Sequence, residues 1–224
     1  MNNLVIGTGW YSNGISHNKG VSNKCYQPNW LNIWREYHQK QSDEYINFTV
    51  YVSRCNIWPT KKFIDQFSAS AVSLIENDRF NTRHDSWSAM LHGAIQAYNN
   101  DCDFVYIEQD CFVKGLQGAT VWAKANKAKI CYGFGEYAMQ PNSAEYSFVY
   151  VDKKYIGDFI SGIVTVCPDR QANILPERAF HMMFGEEFTA WPFGYGRKTV
   201  KNWDEPIFYK QQLTDEELRR FLNE

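Results

Sequence analysis

Phe104-Val105-Tyr106-Ile107-Glu108-Gln109-Asp110 is the stretch on which the fold turns. A short apolar run with β-branched and aromatic members reads as a strand buried on both faces, the position of a central strand in a parallel sheet. The acidic triplet ends that strand with carboxylates at i and i+2. In an open α/β sheet ligands bind outside the carboxyl ends of the strands, so Glu108 and Asp110 are expected to face a crevice together. A plain polar turn closing the strand would carry the same letters.

Upstream, 87–99 has Ala89, Met90, Gly93, Ala94 and Ala97 on one helical face, and small side chains let a helix lie close on a sheet. Arg83-His84-Asp85-Ser86 leads in, with Asp85 or Ser86 suited to cap the helix. The same alternation continues outward. Strands are expected at 4–8, 46–52, 129–133 and 146–151, and helices at 30–41, 61–77, 118–127, 153–161 and 176–184. A polar stretch rich in Gly, Asn and Ser over 9–29 reads as a long loop, a kind that is often functional. Thr214 and Glu217 fit a capping box that opens a last helix. Strands alternating with helices predict an α/β chain with a mostly parallel central sheet flanked by helices, one domain over 1–224. At 224 residues the chain can bury a core without disulfides or a structural metal.

Composition narrows the function. With 23 Lys+Arg against 25 Asp+Glu, the formal charge of −2 supplies no field toward nucleic acid or an anionic membrane, so neither is expected as a partner. Aromatic residues make up 17% of the chain, more than such a core needs, and some are expected to line a groove. The 6 cysteines form no CxxC pair and are expected as free buried thiols. No apolar stretch is long enough to span a membrane and no basic segment precedes the short apolar start, which points to a cytoplasmic protein with no transmembrane segment.

Two carboxylates after a strand suit a hard cation, Mn²⁺ or Mg²⁺, which takes one or two protein carboxylates and completes its shell with water and a diphosphate. Arg197 lies in Trp191-Pro192-Phe193-Gly194-Tyr195-Gly196-Arg197, a segment that reads either as a sugar platform with its guanidinium on a diphosphate or as a packing plug. Glu177 and His181, four apart on a helix opened by Pro176, share a face. A helix-start glutamate favoured by the dipole would look the same.

The segment 83–113, with its small-residue helix, the bridge Asp101-Cys102-Asp103, the strand and the acidic triplet, resembles the nucleotide-sugar half of GT-A type glycosyltransferases. The order of elements matches over 4–155. The resemblance implies a GT-A-like, Rossmann-type sandwich, with 1–113 holding the donor and 114–224 serving the acceptor. It implies transfer of a sugar from a UDP- or GDP-sugar to a glycan or other hydroxyl acceptor, with a Mn²⁺ or Mg²⁺ cofactor at Glu108 and Asp110. Glu108 stands where the family pattern has aspartate, which puts more weight on Asp110. By the same resemblance Thr8, Gly9 and Trp10 meet the nucleotide, and Arg83 and Asp85 approach base and phosphate. Glu177 then serves as general base, with Glu186 and Glu187 as rivals, and His181 completes the metal shell. A non-catalytic carbohydrate-binding module fits the same residues. A dinucleotide-binding oxidoreductase, suggested by Gly7-Thr8-Gly9, lacks the third glycine, because Ser12 stands there, and lacks an acidic end to the second strand.

Overall fold

The computed structural model describes residues 3–10, 30–42, 45–52, 75–76, 85–134, 143–165 and 175–223. In chain order the elements are β1 (Asn3–Trp10), α1 (Trp30–Lys40), β2 (Tyr45–Val52), β3 (Ile75–Glu76), α2 (Asp85–Asn99), β4 (Asp103–Ile107) and β5 (Cys111–Lys114). They continue with α3 (Leu116–Ala125), β6 (Ile130–Gly133), β7 (Glu145–Val151), α4 (Ile156–Thr165), α5 (Pro176–Phe184), β8 (Phe188–Ala190), β9 (Phe208–Gln211) and α6 (Asp215–Asn223).

Seven strands form the main sheet in the order β3-β2-β1-β4-β7-β6-β8, and β5 pairs with β9 in a small sheet of its own. Strands β1 to β4 run parallel to one another, whereas β7 is antiparallel to both β4 and β6. The carboxyl ends of β1, β2 and β4 therefore share one rim, and β7 reaches that rim with its first residue. Register places Phe104 opposite Val5 and Val151, so β4 is central, as its unbroken burial requires.

Alternate residues of the strands feed two cores. Val105, Ile107, Leu4, Ile6, Phe48 and Phe148 pack with Trp30 and Trp34 of α1, Ala119 of α3 and Phe221 of α6. Phe104, Tyr106, Val5 and Val149 pack on the opposite face with Met90 and Ala94 of α2, Phe159 of α4 and Phe180 of α5. The period-2 alternation of a strand buried on both sides thus builds a helix–sheet–helix sandwich.

The small-residue face of α2 has the consequence expected of it. Gly93 lies so near β1 and β4 that a Cβ there would stand 2.4 Å from the Phe104 ring and 3.2 Å from Gly7 Cα. Gly7 is thus a mid-strand contact with a helix. Because β1 runs on to Trp10, Gly7-Thr8-Gly9 is no phosphate-binding turn, which removes the structural basis of a dinucleotide site there.

Apart from the helix at 61–77, the expected elements occur with their ends shifted by at most four residues, and 176–184 matches at both ends. Asp85 and Ser86 open α2 as helical residues. The capping box of α6 is formed, with Thr214 N–H donating to Glu217 at 2.8 Å and Glu217 N–H to Thr214 Oγ1 at 3.2 Å. Short strands β3, β5, β8 and β9 were not expected from periodicity, since two to four residues carry too little pattern. The expected loop falls, past Trp10, outside the described residues, as does the expected helix 61–77 apart from Ile75 and Glu76, which form β3. Cys102, Cys111 and Cys131 are free and buried. No described helix is long and apolar enough to cross a membrane.

Gly93→Ala tests the close packing. A helix-interior Gly→Ala change ordinarily stabilises by up to about 1 kcal/mol. Overpacking against Phe104 costs about 1–3 kcal/mol, so the expected result is a lowered melting temperature; a raised one would refute the contact.

Candidate functional site

The acidic turn is clamped through its own backbone. Cys111 N–H donates to Glu108 O at 2.9 Å, and Gln212 N–H to Asp110 O at 2.9 Å. From α1, the Trp30 indole donates to Gln109 O at 2.8 Å and the Trp34 indole to Cys111 O at 3.1 Å. Two tryptophans one helical turn apart thereby hold the turn from one side, and β9 holds it from the other. Glu108 N–H donates to Ser147 O at 2.8 Å, extending the β4–β7 ladder to the first acidic residue.

Around this turn Glu108, Glu145, Ser147, Glu177, Arg197 and Gln211 line a cavity of about 30 Å³ at the sheet rim. The Gln211 amide donates to the Glu108 carboxylate and, at 3.3 Å, to Asp110 Oδ1. Its carbonyl oxygen accepts from Arg197 Nε at 3.0 Å. Glu145, the residue with which antiparallel β7 enters the rim, accepts from Ser147 N–H at 3.1 Å.

Burial first, then the neighbouring Asp110 and Glu145, hold the Glu108 carboxyl well above the ordinary range, against an opposing pull from Arg197. Burial also raises Asp110, with the Gln211 hydrogen bond and Arg197 acting the other way, and burial raises Glu145. Three carboxyls crowd one desolvated spot. Among the described residues no group of three or more His, Cys, Asp or Glu is arranged to cage a metal ion. Two carboxylates with excess negative charge nonetheless suit Mg²⁺ or Mn²⁺, which draw their other ligands from water and a diphosphate.

The sequence-nominated residues divide. Glu108, Glu177 and Arg197 line the same cavity, and Asp110 joins them through Gln211. His181 does not complete a metal set with Glu108 and Asp110: its Nδ1 is 2.9 Å from the Tyr132 hydroxyl and its ring stacks on Phe134 at 4.2 Å. One turn along α5 from Glu177, it has rotated into an aromatic pocket. Glu187 is exposed and ion-paired to Lys129, away from the cavity. Thr8 is buried at the end of β1 with no hydrogen-bond partner for its hydroxyl among the described residues. Gly9 follows it in the strand, and Trp10 ends it. Asp85 begins α2, and Arg83 lies outside the described residues.

The segment 191–197 is largely the packing plug. Trp191 is buried, stacks on Phe148 at 4.9 Å and donates to Phe148 O at 3.0 Å. Glu145 and Gln211 were not visible in the sequence as site residues. Glu145 arrives because β7 is antiparallel, and Gln211 because β9, a four-residue strand, pairs Gln211 with Cys111.

No family model and no curated protein matches the sequence. The structure matches solved glycosyltransferases along its length. The galactosyltransferase LgtC, solved with donor and acceptor sugar analogues, is 11% identical, with a TM-score of 0.54 over 100% of this chain and 94% of that one. The architecture is that of the GT-A glycosyltransferases. A glycosyltransferase involved in glycosylating the major capsid of PBCV-1 gives 9% and 0.52 over 100% and 98% of the two chains. S. aureus TarS 1–349 gives 9% and 0.56 over 95% and 60%. At such identities the likeness is one of fold.

Glu108→Gln tests the crowding of charge. A carboxyl raised in the folded state contributes stability that is fully present at low pH and is lost as pH rises from the ordinary carboxylate range through the raised value. The variant should be more stable than the parent at pH 7, the gap narrowing as pH falls into the ordinary carboxylate range. Melting curves across pH check this, and a gap that is constant or reversed contradicts it.

Proposed function

We propose that the chain is a metal-dependent glycosyltransferase that moves a sugar from a UDP- or GDP-sugar to a hydroxyl of a glycan or other acceptor. The observation that carries this reading is the pair of desolvated carboxylates of Glu108 and Asp110 at the rim of a GT-A fold, beside Glu177 and Arg197.

Glu108 and Asp110 would hold Mn²⁺ or Mg²⁺. Bound there, such an ion supplies neutralisation of the diphosphate as its bond to the sugar breaks. Arg197, on the same cavity, is suited to contact the diphosphate oxygens. Glu177, in the first turn of α5, has the chemistry and position to take the acceptor's proton. The acceptor oxygen bonds to the anomeric carbon, the carbon–oxygen bond to the diphosphate breaks with its electron pair on the diphosphate, and the hydroxyl proton passes to Glu177. Charge stabilisation in a desolvated site is the largest contribution expected. Glu187 is dropped from this scheme because its carboxylate pairs with Lys129. Thr8, with its buried hydroxyl, and Gly9 and Trp10 at the end of β1 are assigned to the nucleotide, along with Asp85 at the start of α2 and Arg83, two positions earlier in the sequence.

Thermal shift with UDP, GDP and their sugars, with and without Mn²⁺, tests the assignment. A ligand at 100 times its Kd stabilises by about 2.7 kcal/mol, and Asp110→Ala should abolish the Mn²⁺-dependent part. Unchanged metal-dependent binding in that variant refutes the site. Glycan binding that ignores EDTA, without any nucleotide response, would favour a carbohydrate-binding module. Glu177→Gln should lower kcat by about 10²-fold or more while leaving donor affinity intact; retention of full turnover excludes Glu177 as base.

A further inference from the structure

A second depression is lined from the same stretch of chain that supplies Arg197 to the cleft. It has a volume of about 300 Å³ and is lined by Pro192, Phe193, Tyr195, Lys198, Lys201 and Glu205, among others. The segment 197–201 serves both cavities, since Arg197 lines the acidic cleft and Lys198 and Lys201 line this groove.

We propose that this groove is an acceptor subsite for an anionic saccharide, a sugar or polyol bearing phosphate or carboxylate groups. The word acceptor rests on the glycosyltransferase reading above; the preference for an anionic saccharide stands on the groove itself.

Charge is the first argument. The chain carries a formal −2, yet Arg197, Lys198 and Lys201 fall within five residues. Lys198 and Lys201 are exposed and take part in none of the ion pairs among the described residues. The carboxylate in the lining, Glu205, accepts a hydrogen bond from the Tyr195 hydroxyl at 2.9 Å. Two lysines against one carboxylate leave the lining with a net positive charge.

Construction is the second argument. Tyr195 N–H donates to Tyr209 O at 2.9 Å and Gln211 N–H to Gly196 O at 2.7 Å, tying the segment to β9. Asn202 N–H donates to the Tyr195 hydroxyl at 3.1 Å, closing the segment on itself, and Val200 is buried between the two lysines. Gly194 sits at φ 124°, where a Cβ would be 2.2 Å from the Tyr209 ring, so the backbone admits no side chain at that point. Phe193 stacks on Trp191 at 5.0 Å and stays partly exposed, an apolar wall beside the cations. A fixed backbone, an apolar wall and a few placed charges are what a saccharide site requires, and pre-organisation lowers the cost of ordering on binding.

Calorimetric or NMR titration of the whole chain with glucose 6-phosphate, glucuronate, methyl glucoside and inorganic phosphate, at fixed ionic strength, tests the proposal. The two anionic sugars should bind at least about tenfold more tightly than methyl glucoside, and the preference should shrink as salt rises. Lys198→Glu with Lys201→Glu should erase it, and Lys198→Gln with Lys201→Gln should weaken it, at unchanged melting temperature. Equal binding of neutral and anionic sugars, survival of the preference in the double reversal, or inorganic phosphate binding as tightly as glucose 6-phosphate would overturn it. The UDP and Mn²⁺ shift is read in parallel on the same proteins. Its loss in the parent sinks the transferase reading alone, whereas its retention with no anionic preference sinks this inference alone.

Discussion

The crowding of acidic side chains out of water at the sheet rim is the constraint on which the rest of the molecule depends. Glu108, Asp110 and Glu145 are each pushed toward their protonated forms by burial, and the first two sit on one rigid turn. A flexible loop would relieve such crowding by swinging its carboxylates into solvent. This turn cannot, because its carbonyls from Glu108 to Cys111 are engaged by Gln212 just past β9, by its own backbone and by the indoles of Trp30 and Trp34. The Gln211 amide and Arg197 offset part of the cost. Perturbed acidic groups crowded in one place are a mark of functional sites.

The aromatic content acquires a different meaning in this light. Surplus rings were expected along a groove, yet Trp30, Trp34 and Trp191 are among the most deeply buried side chains. Their bulk fills the cores, and their N–H groups satisfy carbonyls of the acidic turn and of β7. Tryptophan suits this double duty because one side chain contributes a large apolar surface and a single directed donor. The second groove keeps Phe193 partly exposed and otherwise draws on lysines and backbone.

Much of the sandwich was legible because its signals are local. Four apolar residues ending in an acidic triplet placed β4 and its rim, and the spacing of Ala89, Gly93, Ala94 and Ala97 placed a helix close on the sheet. Glu177 and Arg197 were legible as residue types suited to the chemistry, although nothing in their spacing showed that they would meet. His181 shows the limit of the helical-face argument: four residues from Glu177, it turns to Tyr132 and Phe134, because a shared face is wide enough to border two environments.

By itself, then, the sequence determined the α/β alternation, the central strand, the acidic turn and the capped last helix, since each depends on residues within one or two turns of one another. Tertiary structure alone decided that β7 runs antiparallel and delivers Glu145, that β9 lies beside β5 and delivers Gln211, and that Arg197 closes the cavity. Those meetings join residues up to 103 positions apart. They are set by strand direction and register, which no local pattern encodes.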